Sequence, residues 1–311
     1  MLSEATLVSA LGVDAVDDLI HLSGGASRET WSFTAVAGGE RRRLVVQVQR
    51  LGSLNDIEVE AGVLRAAGAA GVPVAAVVSS SADPAALGAP YLVVEHVDGE
   101  TIARRILRDD AFAPARDRLV ADCGRALARL HSLDPATVAG LELTDPLARY
   151  REVLDQLGEP HPAFELGFRW LEANRPPARR PVVVHGDFRL GNLIVGPDGL
   201  RAAIDWELAH VGDPAEDLGW LCVRAWRFGG PRPVAGLGSY AELLDGYAIA
   251  GGEPVDPETL RWWEALGTLK WGIMCIMQAA THLTGAARSH ELAAIGRRVC
   301  ENEHDLLALL P

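Results

Sequence analysis

Residues 181–220, PVVVHGDFRLGNLIVGPDGLRAAIDWELAHVGDPAEDLGW, carry the densest chemistry in the chain. The apolar run Val182 to Val184 reads as a buried strand that delivers His185, Gly186 and Asp187 at its end. Leu193 to Val195 reads as a second strand, Gly196-Pro197-Asp198-Gly199 as a turn, and Leu200 to Asp205 as the antiparallel return. Counting outward from the middle of the Asp198-Gly199 pair puts Asn192 opposite Asp205, with Cβ atoms roughly 5 Å apart. An amide oxygen and a carboxylate at that separation suit one hard cation. Mg²⁺ takes one or two protein oxygens and completes its octahedron with phosphate and water. Asp187 is then free to address a substrate hydroxyl. Two other readings stay open at this point. The acids and histidines could be loop and capping residues, or His185, Asp187, Asp205 and His210 could form a hydrolase metal site. The chain has no H-E-x-x-H pair to support the latter.

The surroundings narrow the class. A chain of 311 residues, 49% hydrophobic and 23% charged, has the mix of a folded globular protein and not of a disordered or repetitive one. A net charge of −13 argues against nucleic acid as a partner, because a phosphate backbone calls for clustered positive charge. Lys270 is the single lysine, so every other basic residue is arginine. The four cysteines have no C-x-x-C spacing and read as buried free thiols. The first residues lack the basic and apolar pattern of a signal peptide, and the apolar run Trp271 to Met277 is too short to cross a bilayer. These features predict a cytoplasmic protein without a membrane partner; they leave the oligomeric state undefined.

Two regions differ in pattern, and together they predict an α+β, bilobal architecture. In residues 1–97, Glu29 to Val36, a Gly38-Gly39 turn and Leu44 to Val48 form a hairpin signature. Ile57 to Ala70 has helical spacing, and Val74 to Val78 and Tyr91 to Val97 read as strands. Residues 98–311 are mainly helical, with amphipathic stretches at 115–132, 258–283 and 289–310. A small β-rich lobe over 1–97 and a larger helical lobe over 98–311 are expected.

His185-Gly186-Asp187, four residues, Asn192, and then Ile204-Asp205-Trp206-Glu207 resemble the aminoglycoside phosphotransferase-like family of the protein-kinase-like superfamily. The resemblance runs over nearly the whole chain. Leu22 to Trp31, LSGGASRETW, is similar to a loop over nucleotide phosphates, and Val93 to Gly99 to the hinge between two lobes. It implies a kinase-like fold and transfer of the γ-phosphoryl group of ATP, or of GTP, to a hydroxyl of a small-molecule acceptor. It makes Asp187 the base or orienter of that hydroxyl, with Arg189 at the transferred phosphate, and Asn192 and Asp205 the Mg²⁺ ligands. Gly24, Gly25, Ser27 and Arg28 would serve the phosphates, and Glu95, His96 and Val97 would offer backbone groups to the base.

One position departs from the family pattern. The third strand, LVVQVQR, carries Gln47 where a cation would contact phosphate and pair with a helix glutamate, here Glu60. Arg189, Arg28 and Arg50 are the arginines placed to compensate. Gln47 is also the reason to hold open a catalytically impaired, pseudokinase-like nucleotide-binding scaffold. For the acceptor, the negative net charge suits a cationic, aminoglycoside-like antibiotic. The C-terminal stretch resembles instead a subgroup linked to acyl-CoA metabolism, for which a hydroxyacyl-CoA is the acceptor to expect; Arg297-Arg298 or Arg149 and Arg151 are candidate phosphate contacts.

Overall fold

The computed structural model describes residues 2–22, 28–50 and 56–310. Helix α1 (Glu4–Leu11) opens on a capping box in which Ser3 and Thr6 exchange side-chain and backbone bonds. Strands β1 (Ala15–Leu22), β2 (Arg28–Ala37) and β3 (Glu40–Gln49) follow, then α2 (Ile57–Ala69), β4 (Val77–Ser81) and β5 (Tyr91–Glu95). The five strands form one antiparallel sheet in the order β1-β2-β3-β5-β4. Gly38 and Gly39 connect β2 to β3 with φ of 55° and 85°, as a two-residue hairpin turn requires, so Ala37 pairs with Glu40 and Arg28 with Gln49. The expected strand at Val74 to Val78 instead runs from Val77 to Ser81: the polar serines satisfy the edge of a sheet, where alternation of apolar residues is not demanded.

After β5 the chain is mainly helical. It passes through α3 (Ala103–Arg108), α4 (Ala113–His131), α5 (Pro146–Leu157) and α6 (Pro162–Ala173) before β6 (Val182–Val184). The hairpin β7 (Leu193–Gly196) and β8 (Gly199–Ala203) is followed by β9 (His210–Gly212), which pairs with β6. Helices α7 (Ala215–Cys222), α8 (Tyr240–Ile249), α9 (Pro257–Leu283), α10 (His290–Ile295) and α11 (Val299–Leu309) complete the chain. The expected long helix at 289–310 is therefore broken by a 3₁₀ turn at Gly296–Arg298. Helix α9 is buried from Trp262 to Ile273 without interruption, which explains its weak sidedness: it runs through the core. A β-rich N-terminal part and a helical C-terminal part thus form a mixed α+β fold. The β7–β8 hairpin is bonded to the segment after β5 at Glu100, which exchanges both backbone bonds with Val195, and to the N-terminal part at Pro73, whose carbonyl accepts from Ala203.

Candidate active site

Buried β6 ends at a turn that only glycine completes comfortably. Gly186 has φ of 77°, and a Cβ there would meet the Leu208 carbonyl oxygen at 2.5 Å. Asp217, fully buried on the first turn of α7, accepts from the backbone N–H groups of His185 at 2.8 Å and Gly186 at 2.9 Å. Its other partner is His131 Nε2 at 3.2 Å, and His131 Nδ1 meets the Tyr247 hydroxyl at 2.9 Å. Burial alone would raise the Asp217 carboxyl; His131, His185 and the backbone donors more than offset it and hold the group below its ordinary value. From below, Lys270 Nζ on α9 donates to the Gly186 carbonyl at 2.9 Å. The single lysine is thus a buried brace of the loop, 3.5 Å from Glu216.

The loop presents Asp187 with both carboxylate oxygens engaged. Oδ1 accepts from Arg189 Nε at 3.0 Å and from Trp220 Nε1 at 2.8 Å; Oδ2 accepts from Asn192 Nδ2 at 2.6 Å. The Arg189 guanidinium lies 4.3 Å over the Trp226 ring, which fixes its plane. Trp220 and Trp226 are buried, yet Trp220 touches the central carboxylate directly. Helical phasing from Asp217, three residues before Trp220, was the available signal, since both point to the loop.

Asn192 is not opposite Asp205. Leu193 pairs with Ala203, and Ile204 N–H donates to the Asn192 carbonyl, so Asn192 lies opposite Ile204. The two-residue turn is Pro197-Asp198, one place earlier than expected, and an irregularity between Ile194 and Val195 brings the register only part of the way back. Asp205 stands just past the ladder in a left-handed conformation, φ 67°. Burial, followed by the charges of Glu207 and Asp187, pushes its carboxyl up to about 7. Glu60 adds to that repulsion and Arg189 opposes it. Asn192 Nδ2 is turned to Asp187, which leaves its Oδ1 as a potential ligand oxygen.

On the sheet side, Arg28 makes the ion pair with Glu60, and its NH1 donates to Gln47 Oε1 at 3.0 Å. Gln47 therefore does not meet the helix glutamate itself; the cation comes from β2. The pairing of Arg28 with Gln49 sets Arg28 diagonal to Gln47 on one sheet face. Arg28 is only 5% exposed, and its Nε has no partner among the described residues. Burial works against its charge, but Glu60, and at longer range Glu207 and Asp205, hold its pKa above the ordinary value. The two halves of the site are thus electrostatically joined. Gly24, Gly25 and Ser27 lie outside the described residues. At the hinge, the Glu95 and His96 amides donate to the Ala76 and Arg43 carbonyls, so among the three expected groups Val97 is the one whose N–H is not committed in this way.

The hydrolase arrangement is not formed. His185 Nε2 meets the Ile204 carbonyl at 3.1 Å and Nδ1 accepts from the Asp187 amide, while His210 is bound by Glu216 at 3.1 Å and the Leu208 carbonyl at 2.8 Å. Among the described residues no three His, Cys, Asp or Glu side chains converge as a metal cage. No described helix is long and apolar enough to cross a membrane.

The model of the phosphotransferase enzyme family matches residues 18–263. The chain is 30% identical over 226 residues to mouse acyl-CoA dehydrogenase family member 10, which covers 66% of this chain and 20% of that protein. It is also 30% identical over 260 residues to acyl-CoA dehydrogenase family member 11 of Pongo abelii, 73% of this chain and 32% of that one. The chain therefore spans about a fifth to a third of these relatives. Among solved structures, a Ralstonia eutropha protein provisionally described as an aminoglycoside phosphotransferase superposes with a TM-score of 0.75 at 22% identity, over 98% of this chain and 97% of that one. Aminoglycoside phosphotransferase APH(4)-Ia, solved with ADP and hygromycin B, gives 0.66 at 17% identity, over 98% and 97%. These structural likenesses show the kinase-like fold.

Proposed function

Because the chain belongs to the phosphotransferase enzyme family, we propose that it is a kinase that transfers the γ-phosphoryl group of ATP to a hydroxyl of a small-molecule acceptor, with GTP an alternative donor. The observation that carries this reading is the Asp187 carboxylate, held by Arg189, Trp220 and Asn192 on a loop braced by Asp217 and Lys270. Such a carboxylate orients an attacking hydroxyl and takes its proton as the bond to phosphorus forms. Arg189, stacked on Trp226 and tied to Asp187, presents a cation beside the group in transfer.

The Asn192 and Asp205 oxygens suit Mg²⁺. Burial, and after it the neighbouring Glu207 and Asp187 carboxylates, raise the Asp205 carboxyl, and a divalent cation would relieve that repulsion. When bound there, the ion would neutralise charge on the β- and γ-phosphates. Arg28, supported by Glu60, supplies the fixed charge that Gln47 does not, and Gln47 holds the Arg28 guanidinium in plane. Gly24, Gly25 and Ser27 would offer amides to the phosphates, and Val97 N–H would serve the base. The presence of Arg28 beside Gln47 weighs against the scaffold reading. The names of the curated relatives bring an acyl-CoA acceptor forward, alongside the antibiotic acceptors of the solved structures.

Calorimetry of ATP binding with and without Mg²⁺, on wild type and Asp205→Asn, tests the reading. Asparagine tolerates the left-handed backbone and removes only the charge. Mg²⁺-dependent binding that the substitution weakens at least ten-fold is expected. Absence of binding at millimolar ATP and GTP would overturn the kinase and favour the scaffold.

A further inference from the structure

The Asp187 carboxylate is pinned unevenly. Oδ1 takes two donors, Trp220 Nε1 at 2.8 Å and Arg189 Nε at 3.0 Å. Among the described residues Oδ2 takes one, Asn192 Nδ2 at 2.6 Å. A carboxylate oxygen offers two lone-pair directions, so Oδ1 is filled and Oδ2 keeps one open. The terminal torsion of an aspartate is soft and nearly two-fold, so without fixed donors the two oxygens would exchange places.

Trp220 is held as such a donor by three neighbours. Its ring is buried on α7 and lies against the middle of α9 at Gly267. A Cβ there would meet Trp220 Cε3 at 3.2 Å and Val223 Cγ2 at 2.8 Å. Glycine weakens a helix interior, and the close approach of the indole accounts for its presence. Three residues on, Lys270 Nζ lies 4.5 Å from the centroid of the Trp220 ring. The third neighbour is Trp226, in the 3₁₀ turn Arg224–Arg227, with ring centroids 5.3 Å apart. Because Trp226 also carries the Arg189 guanidinium, both donors to Oδ1 rest on one pair of packed indoles. An indole N–H is a donor only: unlike a hydroxyl or a water, it cannot reverse its polarity or take a proton.

We propose that Trp220 is a positioning residue for the proton transfer: it keeps Oδ1 occupied, so that Oδ2 is the atom that receives the proton of the attacking hydroxyl. The O–H bond breaks, its proton goes to Oδ2, and the oxygen bonds to the γ-phosphorus. The bond from that phosphorus to the β–γ bridging oxygen breaks, and its electron pair leaves with ADP. The proposal deepens the kinase reading and rests on it, and it holds for any hydroxyl acceptor.

Two substitutions in the full chain separate the N–H from the ring. Trp220→Phe keeps an aromatic ring against Gly267 and removes the donor, while Oδ1 retains Arg189. Trp220→His removes the larger part of the ring and keeps an N–H at the equivalent ring position, Nε2. Melting temperature, Mg²⁺-ATP affinity by calorimetry, and ADP release from Mg²⁺-ATP with water in place of the acceptor hydroxyl are compared. Stability should fall in the order wild type, Phe, His, because histidine leaves the larger cavity. Turnover should fall in the order wild type, His, Phe. The Phe variant should be slower by about ten-fold or more, the worth of one hydrogen bond to a charged group. Mg²⁺-ATP affinity should change by less than about two-fold, as for an interaction that acts in the transition state. The same order in stability and turnover, or Phe as fast as wild type, would make Trp220 a packing residue and overturn the proposal. The Trp220 indole proton resonance, assigned by its loss in Trp220→Phe, should move upfield in Asp187→Asn as the charged acceptor disappears. A resonance that does not move would overturn the proposal at any rate of turnover. No ADP release from wild type, or release that Asp187→Asn leaves unchanged, would instead overturn the kinase reading and leave the Trp220–Asp187 bond standing as part of the fold.

Discussion

The two sides of the site are built differently. On the helical side, the His185–Asn192 loop is held from several directions: Asp217 takes two of its amides, Lys270 takes the Gly186 carbonyl, and Trp220, Arg189 and Asn192 all reach Asp187. On the sheet side, one ion pair between Arg28 and Glu60, with Gln47 bonded to the guanidinium, carries the fixed charge. A network with many partners fixes one geometry and tolerates little change. A single charge near a diffuse polyphosphate can be supplied from a neighbouring strand with little change in the field it exerts. That contrast explains how Gln47 can stand in a site whose loop residues are complete.

The largest effect should come from the loop's functional centre. Asp187→Asn keeps the shape and removes the proton acceptor, so turnover should fall by about 10³-fold, within the range for loss of a general base. Mg²⁺-ATP affinity should change less than two-fold by calorimetry; a large loss would move Asp187 to the nucleotide side of the comparison. Next is the brace. Asp217→Ala strands two backbone donors and His131 in the interior, for which about 3–5 kcal/mol is expected. A denaturant midpoint shift of that size at unchanged slope would confirm it, and Asp217→Asn, which retains an acceptor, should cost less.

The sheet side should yield to exchange. Arg28→Met is expected to weaken Mg²⁺-nucleotide binding about ten-fold, because one charge-assisted contact is worth about 1.5–3 kcal/mol at most. Gln47→Lys in that background should recover most of the loss, since a lysine there can reach Glu60 from the neighbouring strand. A double-mutant cycle reads the coupling directly. If Gln47→Lys fails to rescue Arg28→Met while stability is unchanged, the charge is not exchangeable and the contrast drawn above is wrong.

Legibility divided along the same line. The course of the loop was readable because its residues are consecutive: a buried strand, Val182 to Val184, delivers His185, Gly186 and Asp187 at its end. The Arg28–Glu60 pair was harder, because it depends on strand register across a hairpin. The Gly38-Gly39 turn did contain that register, and counting outward from it sets Arg28 opposite Gln49 and beside Gln47. The same counting failed at the β7–β8 hairpin because the turn is Pro197-Asp198 and not Asp198-Gly199; the bulge between Ile194 and Val195 recovers only half of that offset.

The smallest effect concerns the underside of the loop and reads the comparison through pH. His210 Nε2 faces Glu216 at 3.1 Å and Nδ1 faces the Leu208 carbonyl at 2.8 Å. Burial pushes the imidazolium down and Lys270 repels it, but Glu216 and the carbonyl outweigh both, so the ring titrates above its ordinary 6.5. The folded state then binds this proton more tightly than the unfolded chain. The resulting stability is fully present below pH 6.5 and is lost as the pH rises through the folded value. His185 acts in the opposite sense: its burial lowers its pKa, so it favours folding as the pH rises toward 6.5. The difference between wild type and His210→Gln isolates the first group from the second. Melting temperatures from pH 5.5 to 8.5 should show wild type ahead at the acid end, with the gap closing above pH 6.5. A gap that stays constant would mean that the His210–Glu216 contact is a neutral hydrogen bond. The buried charge under the loop would then be carried by Lys270 and Glu216 alone, and the helical side would depend on fewer ionic contacts than the contrast assigns to it.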